Sequence, residues 1–318
     1  MNDRLDVLKT YKLYIDGKFP RSESGRSLIV ADSRGRVAAH ICRASRKDLR
    51  EAVEAARKAQ PGWASATPYL RGQILYRMAE MLEGKRQEFA ELLDARAVGE
   101  GAESGTGVAL AKRGATRERP LKQRDAEVTA SIDRLVSFAG WADKYAQVLG
   151  CNNPVAGPYY NFTVPEPTGV VAAVAPDEFP LLAMVSLIAP PLCAGNTVVA
   201  IASEARPLAA AVLGEVCATG DVPAGVVNIL TGVRSEFLPS ISGHRDIDAV
   251  HAAGLNAAET TLLREGIAEN IKRVVVRGVA MPGAKGAAVD WTDGDACQDP
   301  WWIEPFVEMK TVWHPASS

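Results

Sequence analysis

The sequence is poor in the residues that build metal sites and disulfide frameworks. It contains 4 histidines and 5 cysteines in 318 residues. No histidine stands at HxxxH or HxxE spacing, and the cysteines lie far apart with no CxxC pair. These absences argue against a metal site and against a small disulfide-stapled secreted domain, so a reducing, cytoplasmic location is expected.

Long hydrophobic runs and an excess of charge of one sign are also absent. The longest apolar run, 179–193, is interrupted by prolines and falls short of the ~20 residues that cross a bilayer. Residues 1–12 lack the apolar core of a signal peptide. The formal net charge of -2 gives no overall attraction to nucleic acid or to anionic lipid. We therefore expect neither nucleic acid nor membrane among the partners.

What is present is enough apolar sequence for a sizeable core, at 47% hydrophobic and 23% charged residues. Within residues 1–97, the Asp-Gly in Lys12–Phe19 predicts a β-hairpin. The 3.6-residue apolar period predicts helices over Lys47–Gln60 and Tyr69–Leu93. Residues 98–125 are rich in Gly, Ser and basic side chains, which predicts a flexible basic insertion that is a solvated loop or a contact for an acidic partner.

Residues 126–278 predict an α/β domain with a doubly wound parallel sheet. A helix is predicted over Ile132–Leu149, and an aromatic strand over Tyr159–Val164 that ends at Pro165. Short apolar runs then alternate with helical stretches, as in buried parallel sheets. The runs are Gly169–Ala175, Thr197–Ile201, Val226–Leu230, Asp248–His251 and Arg273–Val276, with helices between them over Leu208–Ala218 and Ala257–Asn270. Residues 279–305 are irregular, and 306–318 contain a terminal strand.

In this order, the motifs resemble those of the aldehyde dehydrogenase superfamily over nearly the whole chain. The segments that carry this resemblance are Tyr14–Phe19, Ala55–Trp63, Arg71–Leu75, Pro165–Val171, Gly195–Val199, Pro223–Asn228 and Glu308–Trp313. The resemblance implies a Rossmann-like cofactor domain and an oligomerisation arm formed by strands 159–164 and 308–313. It also implies that 279–305 is a remnant linker where the family has a catalytic domain.

The resemblance places this family's catalytic groups at positions where the chain has other residues. The family's cysteine nucleophile has no counterpart in matching context, and Cys297 is the one cysteine in the right order along the chain. Glu178 replaces the asparagine that donates to the oxyanion, and a carboxylate near pH 7 cannot donate. Arg277 replaces the glutamate general base, and a guanidinium cannot accept a proton. The resemblance therefore implies no catalytic residue, with Glu178 and Arg277 as degenerate positions.

The cofactor positions have also changed. The family's ribose-binding lysine and glutamate correspond to Ile201 and Glu204, and its Gly-Ser-Thr pyrophosphate turn corresponds to Gly254–Asn256. Glu259 adds a negative charge where a diphosphate would lie. The family residues left at this vestigial site are Glu204, Gly225 and Gly254. No cofactor is expected, and NAD(P) remains an alternative.

The chain is most similar to the cysteine-lacking second half of the long duplicated aldehyde dehydrogenases. This likeness favours a non-catalytic subunit, a pseudoenzyme, in a homo- or hetero-oligomer with a catalytic aldehyde dehydrogenase. Two alternatives stay open. One is an NAD(P)-dependent aldehyde oxidoreductase with an atypical nucleophile such as Cys297. The other is a small-molecule sensor using the cleft around Glu178, Glu204 and Arg277, where these charges could also form a structural ion pair.

The tryptophans of the tail, Trp291, Trp301, Trp302 and Trp313, are expected in an interface or in the core.

Overall fold

A computed structural model describes residues 7–100, 119–278 and 288–316. The basic insertion predicted over 98–125 lies mostly outside these residues. Its ends were placed wrongly, because strand β4 continues to Glu100 and helix α4 already begins at Leu121. No helix in the described ranges has both the length and the apolar content needed to cross a bilayer.

The N-terminal region combines a tight turn, a small sheet and three helices. Asp16 and Gly17 form the turn with positive φ of 52° and 71°, and Ile15 and Lys18 exchange backbone hydrogen bonds across it. Tyr14 pairs with Ile229 rather than extending a free hairpin. The elements are β1 (Thr10–Tyr11), β2 (Ser27–Ala31), β3 (Val37–Cys42), α1 (Arg46–Ser65), α2 (Pro68–Gly84), α3 (Arg86–Leu92) and β4 (Arg96–Glu100).

Two features of this region differ from the sequence prediction. The helix predicted over Tyr69–Leu93 is two helices, because Lys85 leaves helical geometry at φ -105° and ψ 14°. Strands β2, β3 and β4 were missed, and with β1 they form a sheet in the order β1-β3-β2-β4. The first helix is confirmed, and Ser45 and Asp48 form a capping box at its start.

The second half is a doubly wound α/β sheet, as predicted. Its five strands lie in the order β11-β10-β7-β8-β9 and all pair in parallel. The elements are α4 (Leu121–Trp141), α5 (Tyr145–Leu149), β5 (Cys151–Asn153), β6 (Tyr159–Pro167), β7 (Val170–Val174), α6 (Leu182–Ala194), β8 (Thr197–Ile201), α7 (Leu208–Thr219), β9 (Val227–Leu230), α8 (Arg234–Gly243), β10 (Ala249–Ala253), α9 (Ala257–Asn270) and β11 (Arg273–Arg277). The helix predicted over Ile132–Leu149 is the end of α4 plus α5.

A three-stranded antiparallel sheet, which we call the arm, stands apart from the main sheet. Its order is β12-β6-β5, with β12 at Val307–Pro315. The prediction that Pro165 ends the aromatic strand was wrong, because β6 continues to Pro167 in register with β12. A proline fits a strand wherever its missing N–H is not needed by the neighbouring strand.

Residues 288–306 are folded rather than an open linker, which corrects the prediction for 279–305 in its described part. They contain α10 (Gly294–Cys297) and two short 3-10 helices over Pro300–Trp302 and Glu304–Phe306. Trp291, Cys297 and Phe306 are buried here. Burying these large side chains stabilises the packing of this short segment against the main sheet.

Candidate functional site

Four of the residues selected from the sequence lie at the C-terminal ends of the parallel strands. Glu178 follows β7, Glu204 follows β8, Gly254 follows β10, and Arg277 is the last residue of β11. In open α/β sheets this is the edge at which ligands bind. We call the region bounded by these strand ends the cleft.

Gly225 does not belong to the cleft. It precedes β9, at the opposite end of the sheet, with φ +81°. A Cβ added there would lie 2.6 Å from the carbonyl oxygen of Ala55 in α1. This glycine allows close packing of the turn on a helix, so its prediction as a cofactor residue was wrong.

Arg234, which the sequence prediction missed, fills the centre of the cleft. It is the first residue of α8 and only 9% exposed. Its Nη1 donates to the carbonyl oxygen of Gly254 at 2.9 Å, and its guanidinium lies 3.7 Å from Asp177 Oδ1 and 3.9 Å from Glu259 Oε2. One cation therefore joins the loops that follow β7 and β10.

The carboxylates of Glu204 and Asp177 also accept hydrogen bonds from other residues of the cleft. The backbone N–H of Arg234 donates to Glu204 Oε2 at 2.9 Å, so this carboxylate caps the start of α8. Asp177 Oδ1 accepts hydrogen bonds from the hydroxyl of Ser203 and from the backbone N–H of Ala205. These bonds tie the loop after β7 to the loop after β8.

The N-terminus of α9 is closed by its own side chains. Asn256 Oδ1 accepts from the backbone N–H of Glu259, and Glu259 Oε2 accepts from the backbone N–H of Asn256, both at 2.9 Å. This capping box puts a carboxylate at the helix end where an anionic ligand would otherwise bind. Leu255, in the same turn, packs into the core and is 8% exposed.

These contacts do not fit a dinucleotide. A diphosphate at the N-terminus of α9 would lie beside the Glu259 carboxylate, and the two negative charges would repel each other. Glu204 is engaged by α8, and Ile201 offers no hydrogen-bond donor to a ribose. The part of the chain that the structure describes also has no cluster of His, Cys, Asp and Glu that could hold a metal ion.

Arg277 lies where the resemblance places the family's general base. It donates a hydrogen bond to a histidine and lies over the ring of a tryptophan. Its Nε donates to His251 Nε2 at 3.0 Å, and its guanidinium carbon lies 3.9 Å from the centre of the Trp302 ring. His251 Nδ1 lies 2.9 Å from the carbonyl oxygen of Leu187, which can only accept, so the ring proton is on Nδ1. Burial, and next the Arg277 charge, hold the pKa of His251 well below its usual value.

The charge of Arg277 serves to anchor the segment 288–306. Burial lowers its pKa to about 10, so the guanidinium remains charged at neutral pH. A cation over a buried tryptophan face is attracted to the ring quadrupole. The suggested ion pair among Glu178, Glu204 and Arg277 is not formed, since Glu204 bonds to α8, Arg277 to His251, and Glu178 is exposed.

Cys297 has the environment of a core residue. It is 2% exposed, and its Sγ lies 3.4 Å from the carbonyl oxygen of Asp290. Burial raises the pKa of its thiol, although the nearby guanidinium of Arg134 opposes this effect. The thiolate is the nucleophilic form of cysteine, and it is disfavoured at this position.

We expect only one of the five thiols to react in the folded protein. Cys151 is exposed on β5, whereas Cys42, Cys193, Cys217 and Cys297 are buried. A brief treatment with a maleimide, followed by intact-mass analysis, should add one label to the native chain and five to the unfolded chain. Rapid labelling of Cys297 in the native chain would contradict this description of the site.

The sequence contained a signal for Arg234 that was not used. Arg234 begins the helix after β9, so it stands at the same edge of the sheet as the residues that were selected. No comparable local pattern marks His251 or Trp302, which meet only through the packing of β10 against the segment 288–306.

Comparison with known proteins agrees with this fold. The sequence profile of the aldehyde dehydrogenase family matches residues 20–289. Retinal dehydrogenase 2 of Mus musculus is 31% identical over 293 residues, covering 91% of this chain and 51% of its own length. The mitochondrial aldehyde dehydrogenase family 2 member B4 of Arabidopsis thaliana is 30% identical over 299 residues, covering 93% and 50%.

Solved structures give the same picture. The NAD+ complex of the aldehyde dehydrogenase from Bacillus cereus superposes with a TM-score of 0.72 at 28% identity, covering 84% of this chain and 50% of that one. This chain thus spans about half the length of the relatives it matches. The fold, the order of its elements and the extent of these matches show that the chain belongs to the aldehyde dehydrogenase family.

Proposed function

We propose that this chain is a non-catalytic member of the family, without bound NAD(P), that works by assembling with an active aldehyde dehydrogenase. The observation that carries the proposal is the contrast between the arm and the cleft. The arm is built along its full length, with β6 and β12 paired continuously from Val307 opposite Pro167 to Pro315 opposite Tyr159. The cleft has Arg277, Glu178 and Glu259 where catalysis and cofactor binding need other groups.

The arm exposes apolar side chains to solvent, where they add nothing to the stability of a monomer. Tyr159, Tyr160, Met309 and Trp313 are between 45% and 58% exposed. They lie on both faces of one small sheet, and Tyr159 and Trp313 contact each other edge to face with ring centres 5.9 Å apart. Clustered exposed aromatic residues are typical of protein interfaces.

The two alternative functions gain no support from the site. An aldehyde oxidoreductase acting through Cys297 would need an accessible thiolate, and this thiol is buried with a raised pKa. A sensor in the cleft would need free polar groups. Instead, the polar groups of the cleft bond to one another. Arg234 donates to Glu204 and to the carbonyl oxygen of Gly254, and Asp177 accepts from the backbone N–H of Ala205.

The experiment is co-expression with an active aldehyde dehydrogenase from the same genome, followed by native mass spectrometry of the purified complex. We expect a mixed oligomer that is lost on Trp313→Ser, because this change removes a large exposed apolar contact from the arm. The matched control is Tyr76→Ser, which alters a similarly exposed aromatic residue on α2, away from the arm. Recovery of this chain free of the enzyme, under conditions where both are soluble, would refute the proposal.

A further inference from the structure

A polar pocket lies between the start of α1 and the first two turns of α8. Its volume is about 430 Å³, within the range of pockets that hold small molecules. All but one of the residues that line it are polar or charged, and none of them was assigned to the cleft. They are Arg26, Ser45, Arg46, Ser235, Glu236, Pro239 and Ser240. We call this region the arginine pocket.

The elements around the arginine pocket are joined by backbone hydrogen bonds. Arg43 N–H donates to Arg26 O at 3.0 Å, and Ala44 N–H donates to Thr231 O at 2.8 Å. Arg26 directly precedes β2, and Arg46 is the first residue of α1. The fold therefore fixes the backbone of both pocket arginines relative to the loop that leads into α8.

The two arginines of the pocket have no counter-ion in the part of the chain that the structure describes. Their side chains bond there to hydroxyl groups instead of carboxylates. Arg26 Nε lies 3.5 Å from Ser24 Oγ, and Arg46 Nε donates to Ser240 Oγ at 3.2 Å. A guanidinium stays charged at any physiological pH, so the pocket contains two positive charges that no carboxylate pairs with.

The acids nearest to the pocket are paired with other cations. Glu236 accepts two hydrogen bonds from the Arg43 guanidinium, at 2.5 Å and 3.3 Å. These bonds hold the pKa of the Glu236 carboxyl below its usual value. Glu23, which accepts from the Ser45 hydroxyl, lies 3.2 Å from Lys47 Nζ. Neither carboxylate is therefore available to neutralise the two pocket arginines.

Two hydroxyl groups add further donors to the pocket. Ser240 Oγ accepts from Arg46, so its own proton is directed elsewhere. Ser235 is exposed, and its hydroxyl bonds to no residue that the structure describes. A carboxylate accepts hydrogen bonds, and the planar guanidinium matches its two oxygens. The free groups of the pocket are thus suited to a carboxylate ligand.

We propose that the arginine pocket binds a small aliphatic dicarboxylate, with one carboxylate on Arg26 and the other on Arg46. Two separate cations match two separate anionic groups, and the pocket has room for the carbon chain between them beside Pro239. Inorganic phosphate, whose charge lies on one small group, leaves much of this volume empty. This inference goes beyond the proposed function and needs no enzyme partner.

The first test is calorimetric titration of the full chain with succinate, butyrate and inorganic phosphate at one low ionic strength. Butyrate has the same four-carbon chain as succinate but only one carboxylate. We expect succinate to bind at one site, and butyrate to bind on the order of 10-fold more weakly, because one charge-assisted pair is missing. Phosphate should also bind more weakly than succinate. Added salt should weaken the binding of succinate, since both arginines are exposed.

The second test locates the site with Arg26→Met and Arg46→Met. Each change removes one guanidinium from an exposed side chain, so the Tm should stay close to that of the wild type. We expect each variant to bind succinate on the order of 10-fold more weakly, and no better than it binds butyrate. The matched control is Arg50→Met on α1, where the arginine is 60% exposed and paired with Glu54. It should leave the affinity for succinate unchanged.

No saturable binding of succinate up to about 10 mM would overturn the inference. So would equal affinity for succinate in the wild type and Arg46→Met, or phosphate binding as tightly as succinate. A chain that joins an active aldehyde dehydrogenase but binds no succinate would overturn this inference and leave the proposed function standing. Succinate binding by a chain that never joins an enzyme would support the inference and count against the proposed function.

Discussion

Trp302→Ala should lower the free energy of unfolding by roughly 4 kcal/mol, the range measured for truncating large buried aromatic residues. Trp302 is 5% exposed, and its ring lies against Arg277, His251 and Trp291. Its indole N–H donates to the carbonyl oxygen of Ala296 at 2.8 Å. The truncation removes these contacts together and leaves the half-buried guanidinium of Arg277 without its aromatic partner.

The neighbouring tryptophan provides the matched control. Trp301 is 60% exposed, and Trp301→Ala should change stability by no more than about 0.5 kcal/mol. Urea unfolding followed by far-ultraviolet circular dichroism measures both variants on one scale. If the two substitutions cost the same, residues 288–306 are not an integral part of the fold.

The main sheet could be predicted from sequence because its signal is local. Strands such as Val170–Val174 and Thr197–Ile201 are buried along their whole length, so their sequences are continuous apolar runs. Among the helices between them, Ala257–Asn270 also begins at a recognisable capping residue, Asn256. The buried strands of this sheet therefore carry enough information in their own residues.

The segment 288–306 could not be predicted in this way. Its sequence is short, polar and irregular, and it resembles a linker when read alone. Trp302 is buried because Arg277 and His251, from two strands of the sheet, lie beneath it, and Trp291 packs against Trp302. Strand β6 shows the same limitation, since Pro165 ends a strand only when its neighbour requires the missing N–H.

Sequence reasoning selected residues of the cleft but did not give their contacts. The resemblance identified Glu204 and Gly254, and both lie at the strand ends. It could not show that Glu204 caps α8 or that Glu259 caps α9, because each bond depends on the geometry of the loops. The position of Arg234 at the start of the helix after β9 could have selected it, but its contacts could not be foreseen, because its partners follow other strands.

Arg234→Met should lower the free energy of unfolding by about 2 kcal/mol, because the carboxylates of Asp177 and Glu259 lose the cation between them. The expected loss of stability is smaller than for a fully buried ion pair, because the side chain of Asp177 is 47% exposed. Glu259→Gln removes one of the two negative charges and keeps an oxygen that can accept from Asn256. The double variant should therefore be more stable than the sum of the single changes predicts, by on the order of 1 kcal/mol.

The same variants test whether the cleft is closed to dinucleotides. A ligand at about 100 times its Kd adds roughly 2.7 kcal/mol to stability, which thermal unfolding detects readily. Neither NAD+ nor NADP+ should raise the Tm of the wild type, because the Glu259 carboxylate lies at the N-terminus of α9, where an anionic ligand would otherwise bind. Calorimetric titration of the wild type should likewise give no binding heat. A rise in Tm with either dinucleotide in the wild type, but not in Arg234→Met, would show that Arg234 serves as a ligand contact and that the cleft is a working cofactor site.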